Sequence, residues 1–114
     1  VTSYLQAHSQ INAVMALNNA IGTAIVNSHP AGNPKIATFD LNSDVENDIK
    51  SNSMAFAIDQ QQYLQGYLPI VFLYLYNKHE GNRVGGGTTV ASGPLVVDNT
   101  NISKVSSAIA TGDD

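Results

Sequence analysis

The 114-residue sequence contains no cysteine, which excludes a disulfide framework and thiolate chemistry and leaves the compartment open. Positive charge is scarce. Five Lys and Arg stand against nine Asp and Glu, for a formal charge of -4, so there is no basic surface to grip phosphates and nucleic acid is not an expected partner. Long hydrophobic runs are absent as well: residues 67–76 come nearest, are interrupted by Pro69, and reach about half of the roughly 20 residues that a bilayer span needs. His8, His29 and His79 are far apart and lack metal-ligand spacing. There is no Gly-x-Ser-x-Gly elbow, and the Gly85-Gly86-Gly87 run has neither the Lys-Ser/Thr of a P-loop nor the setting of a dinucleotide fingerprint. No catalytic set, metal or cofactor is therefore expected. The chain begins at Val1 with no signal peptide before it, and is expected to be processed or cut from something longer.

What is present is an apolar composition, 43% hydrophobic against 12% charged, enough for one small packed unit and too apolar for a disordered chain. Apolar runs suited to buried strands lie at 11–17 (INAVMAL), 36–39 (IATF), 54–58 (MAFAI) and 95–97 (LVV). Between them, helical spacing predicts helices over 2–8, 19–27 and 61–78, the last bent at Pro69. Ser43-Asp-Val-Glu46 reads as a capping box that starts a helix over 44–50. Asp44, Glu46 and Asp48 then complement its dipole. Residues 101–114 are small and polar and are expected to be poorly ordered. Strands alternating with helices imply an α/β fold, a doubly wound sheet with parallel pairing.

Each of the first three strands is followed by a hydrogen-bonding side chain: Asn18, then Asp40, then Asp59 and Gln60. In a parallel sheet these converge on the carboxyl edge, where open α/β folds bind ligands. An ionised aspartate accepts in fixed geometry and amides both donate and accept, a set suited to neighbouring hydroxyls and poorly suited to catalysis. Asp and Asn after a strand also serve as turn formers or caps. Asp59 has both readings, helix cap or cleft lining.

The stretch KIATFDLNSDVENDIKSNSMAFAIDQQQYLQGYLPIVFLYLYNKHEGN, with YLQAHSQINAVMAL before it and GPLVVDNTNI after it, resembles the C-terminal half of the type I periplasmic binding proteins, the ribose-binding and simple-sugar receptors of ABC transporters. The resemblance implies that only part of a two-lobe fold is present: residues 1–60 part of the C-terminal lobe, 61–100 a crossover helix and return strand packing with the other lobe, and 101–114 a tail. It implies a small sugar ligand bound by Asn18, Asp40 and Gln60, with Asp40 taking a pair of hydroxyls, and Asp59 and Gln61 as possible ligand or hinge residues. It further implies a complementary N-terminal polypeptide, an ABC-transporter membrane component as partner, and a periplasmic or extracellular location. Two positions depart from the family. Asn19 stands where an aspartate is frequent. Gln62 stands where a proline is usual, so the junction is expected to be more mobile, and Gln62→Pro to restrain it and tighten binding.

Two other readings share the fold. A LacI-type repressor core would read a small ligand in the cytoplasm and carry its DNA-binding headpiece upstream. A secreted structural or adhesive protein would suit the low charge and the sequon Asn101-Ile-Ser103.

Overall fold

The computed structural model describes residues 1–81 and 83–111. Three αβ units come first: α1 (Thr2–Ala7) precedes β1 (Ala13–Ala16), α2 (Asn19–Asn27), β2 (Lys35–Phe39), α3 (Ser43–Lys50) and β3 (Phe56–Asp59). The chain then leaves along α4 (Gln62–Lys78), turns through a 3-10 segment (Val84–Gly87), and returns as β4 (Leu95–Asp98) and α5 (Ile102–Thr111). The sheet order is β1-β2-β3-β4. The first two pairings are parallel, with Met15 opposite Ala37 and Thr38 opposite Ala57. β4 is antiparallel to β3, Val97 facing Ala57. Alternation of strands and helices implied parallel pairing throughout. The fourth strand breaks it because α4 does not pack back over the sheet, so the chain returns from the carboxyl edge and runs the opposite way.

One face of the sheet holds the core. Ala16, Ile36, Ala57 and Val97 alternate along their strands and meet Ile25 of α2, Val45 and Ile49 of α3, and Ile102 of α5. On the other face Met15 and Val96 are exposed. α2 lies close to β2 because Gly22 has no side chain: a Cβ there would sit 2.7 Å from both Cβ and Oγ1 of Thr38. Thr38 is fully buried, and its hydroxyl donates to the Asn18 carbonyl at 2.8 Å, satisfying a polar group that burial would otherwise penalise.

The helix starts show where side-chain chemistry prevailed. The cap of α3 is Asn42, not Ser43: Asn42 Oδ1 accepts from the Val45 amide at 2.8 Å. Glu46 does not reach back as a capping box requires; its carboxylate accepts from Ser106 Oγ at 2.6 Å and pairs with Lys50 at 3.3 Å. Asn42→Ala is accordingly expected to cost about 1 kcal/mol, with Ser43→Ala near neutral, read from the shift in denaturant midpoint. Asp44 and Glu46 occupy the first turn as expected. Asp48 lies further along, and burial, then the Asp44 charge, raise its pKa. α5 replaces the poorly ordered tail over 102–111, since Ile102 is buried in the core; residues 112–114 of that stretch lie outside the described residues. The sequon's Asn101 is committed at both ends of its amide, donating to the Val96 carbonyl at 2.8 Å and accepting from the Asp98 amide at 2.9 Å. A glycan on its nitrogen would leave a single N–H for the first of these.

α4 buries none of its 17 residues. Tyr63 and Tyr67 stack on each other with centroids 5.8 Å apart, while Ile70, Leu73 and Tyr74 are each about 60% exposed. The helix projects from the sheet layer. The chain therefore measures 60 × 28 × 20 Å, with a radius of gyration of 18.2 Å, against roughly 13 Å for a compact chain of about 100 residues. Among the described residues no helix is long and apolar enough to cross a membrane.

Candidate functional site

The carboxyl ends of β1, β2 and β3 lie side by side, and short polar links join the loops that follow them. Asn19 donates Nδ2 to the Leu41 carbonyl at 3.2 Å and accepts from the Ala20 amide at 2.7 Å. An aspartate at position 19 could not make the first of these bonds because it has no N–H. The end of β2 is joined to β3 by the Asp40 amide, which donates to the Ile58 carbonyl at 2.9 Å.

Asn18 is the cap of α2. Its Oδ1 accepts from the Ile21 amide at 3.0 Å, which leaves Nδ2 as its donor toward solvent. The structural role and the ligand role are thus both open to it, on opposite ends of one amide.

Asp40 is half-buried, with its backbone in the left-handed region at φ 66°, where aspartate is tolerated better than most residues. Its Oδ1 accepts from two side chains, Gln60 Nε2 at 2.8 Å and Gln62 Nε2 at 2.7 Å. Two donors fill that oxygen. Among the described residues Oδ2 has no hydrogen-bond partner, so the carboxylate offers one oxygen outward, with lone pairs for the two hydroxyls that the resemblance implies for Asp40.

The glutamine row has a different task at each position. Gln60 is exposed. Its Nε2 goes to Asp40 and its carbonyl accepts from Gln65 Nε2 at 2.7 Å. Gln61 adopts φ 56°, ψ 57° and stands at the start of α4 without a side-chain cap. Asp59 is 4% exposed, and its Oδ1 accepts from the Gln61 amide at 2.8 Å, a bond that shapes the turn before α4; Asp59 is not the helix cap, since Gln61 holds that position. Gln62 was absent from the site expected from sequence, where it figured only as a missing proline. The signal that could have found it is the run of three amides opposite a lone strand-end carboxylate.

Beside Gln60 opens a cleft of about 460 Å³, lined by Phe39, Ile58, Gln65 and residues 90–94. A second hollow, about 430 Å³, lies beside Asn18 against Ile21, Ala24 and Ile25 of α2. The first pairs an aromatic ring with amides; the second is mostly apolar. Among the described residues no cluster of His, Asp or Glu could hold a metal ion.

No protein-family model and no curated protein matches the chain. Solved structures do. A carbohydrate transporter protein of Acidothermus cellulolyticus, crystallised with myo-inositol, is similar at 33% identity with a TM-score of 0.87, over 99% of this chain and 40% of that one. A solute-binding protein of Agrobacterium radiobacter, crystallised with D-arabinose, matches at 24% identity and a TM-score of 0.73, over 92% of this chain and 36% of that one. A LacI-type transcriptional regulator of Bacteroides fragilis shares the fold at 16% identity and a TM-score of 0.69, over 90% of this chain and 35% of its own. The chain thus spans about two fifths of the length of the first of these. Its parallel βα units, its antiparallel fourth strand and these likenesses together show that it has the type I periplasmic-binding-protein fold, as sugar ABC transporter solute-binding proteins do.

Proposed function

We propose that this chain is part of a solute-binding receptor for a sugar or a similar small polyhydroxylated molecule, whose two lobes close over the ligand for uptake by an ABC transporter. The observation that carries the reading is the convergence of Asn18, Asp40 and Gln60 at the ends of three adjacent parallel strands, an amide donor beside a carboxylate acceptor. Sugar hydroxyls both donate and accept, so each finds a complement. The uncovered face of α4 supports a second lobe: Gln62–Lys78 leaves the sheet layer and would pack there, with Asp59 to Gln62 as the hinge, whereas β4, expected to go with it, pairs with β3. Such a receptor works outside the cytoplasmic membrane, in the periplasm or on the cell surface.

Calorimetric titration of the complete receptor with myo-inositol, D-arabinose and D-tagatose tests the reading. Saturable binding of at least one is the expected result. Binding of none, by protein shown to be folded, would overturn it. The LacI-type alternative has the shared fold in its favour, and a helix-turn-helix upstream of residue 1 would decide for it.

A further inference from the structure

We infer that Gln62 is a positioning residue of the sugar site, a second amide that fixes which oxygen of Asp40 meets the ligand and thereby favours neutral polyols over sugar acids. The inference deepens the sugar-binding reading and rests on it. Gln60 and Gln62 flank the left-handed Gln61, and this turn brings both Nε2 atoms to the same Oδ1, at 2.8 and 2.7 Å. Rotation of the Asp40 carboxylate would break two charge-assisted bonds at once. Oδ2 is therefore held outward. With both amide nitrogens turned to Asp40, Oε1 of each glutamine stands near the carboxylate without a partner among the described residues. The cluster thus presents the charged Oδ2 and two amide oxygens as acceptors, beside the second N–H of each amide.

A ligand meeting Oδ2 must bring hydrogens. Adjacent hydroxyls on a neutral polyol do so. A sugar acid presenting its carboxylate here would meet a like charge at Oδ2. The same geometry reverses the expectation for Gln62→Pro: proline has no amide to give Asp40, and it disfavours helical backbone in the residue before it, where Gln61 sits at φ 56° and ψ 57°. That substitution is expected to loosen the junction and weaken binding.

Two measurements test the inference. Without ligand, the side-chain amide resonances of both Gln60 and Gln62 in the labelled receptor are expected to move on Asp40→Ala; a Gln62 amide that stays in place would overturn the pairing. With myo-inositol or D-arabinose, Gln62→Met is expected to weaken binding about tenfold in the wild-type background and to add nothing further in the Asp40→Ala background. Equal losses in both backgrounds would mean that Gln62 acts by itself or only supports the helix. D-galacturonate is expected to bind more weakly than either neutral sugar, and equal affinity would remove the selectivity claim. Should the wild-type receptor bind no sugar, the sugar-binding reading falls, and the resonance measurement still decides the Asp40–Gln62 pairing.

Discussion

Alanine in place of Asp40 is expected to weaken sugar binding tenfold or more while leaving the fold intact. The carboxylate lies at the edge of the sheet, outside the apolar core, so its loss opens no cavity there. What it removes is one outward acceptor, Oδ2, whose charge-assisted bond to a ligand hydroxyl contributes on the order of 1.5 to 3 kcal/mol. A tenfold change in affinity corresponds to about 1.4 kcal/mol. The substitution also releases the Gln60 and Gln62 amides, at present 2.8 and 2.7 Å from Oδ1, so two further groups lose their orientation. Asp40→Asn separates these effects. It keeps an oxygen for the glutamines and loses the charge, and an intermediate affinity is expected. Calorimetry on the three proteins is the measurement, with far-UV circular dichroism as the check on folding; unchanged affinity in Asp40→Ala would take this residue out of the site.

Valine in place of Gly22 is expected to be the most destabilising of the substitutions considered, at about 3 kcal/mol or more, the upper end of what overpacking costs. The new Cβ alone would lie 2.7 Å from Thr38 Cβ and Oγ1, and 3.3 Å from Met54 Cε. Thr38 and Met54 are almost completely buried, so neither can swing aside into solvent. α2 must then move off the sheet, taking with it Asn18 at its N-terminus and straining the Thr38 to Asn18 bond. Alanine at the same position sets two effects against each other. A helix interior gains roughly 0.8 to 1 kcal/mol from Gly→Ala, but the contact with Thr38 exceeds that gain, so a net loss is expected. Denaturant unfolding of both variants checks this, and a more stable Gly22→Ala protein would show that α2 has room to shift.

The two substitutions bear on different parts of the same edge. Asp40 tests what the strand ends present. Gly22 tests how closely the helix that begins at Asn18 must approach the sheet for that presentation to hold. A receptor with Gly22→Ala that folds but binds sugar poorly would connect packing to the site through Asn18.

Much of this arrangement follows from residue type and spacing by themselves. The apolar runs of β1, β2 and β3 and the helical period of α2 and α4 are local patterns, set by the geometry of strands and helices, and they suffice to place Asn18, Asp40 and Gln60 at one sheet edge. Composition likewise excludes disulfides and a basic nucleic-acid surface. Other features depend on groups distant in sequence, and no local pattern encodes them. Glu46 accepts from Ser106, 60 residues on, and takes no part in a capping box. Residues 102–111 are helical because Ile102 fits a core built by other elements. β4 is antiparallel because α4 projects from the sheet and the chain returns from the far end. Gln62 reaches Asp40 only because Gln61 takes a left-handed turn and Asp40 does too. The sequence by itself determined which edge carries the polar groups, since strand period and order dictate it; only the tertiary structure decided which oxygen of Asp40 faces outward, since that depends on bonds made across 20 and 22 residues of chain.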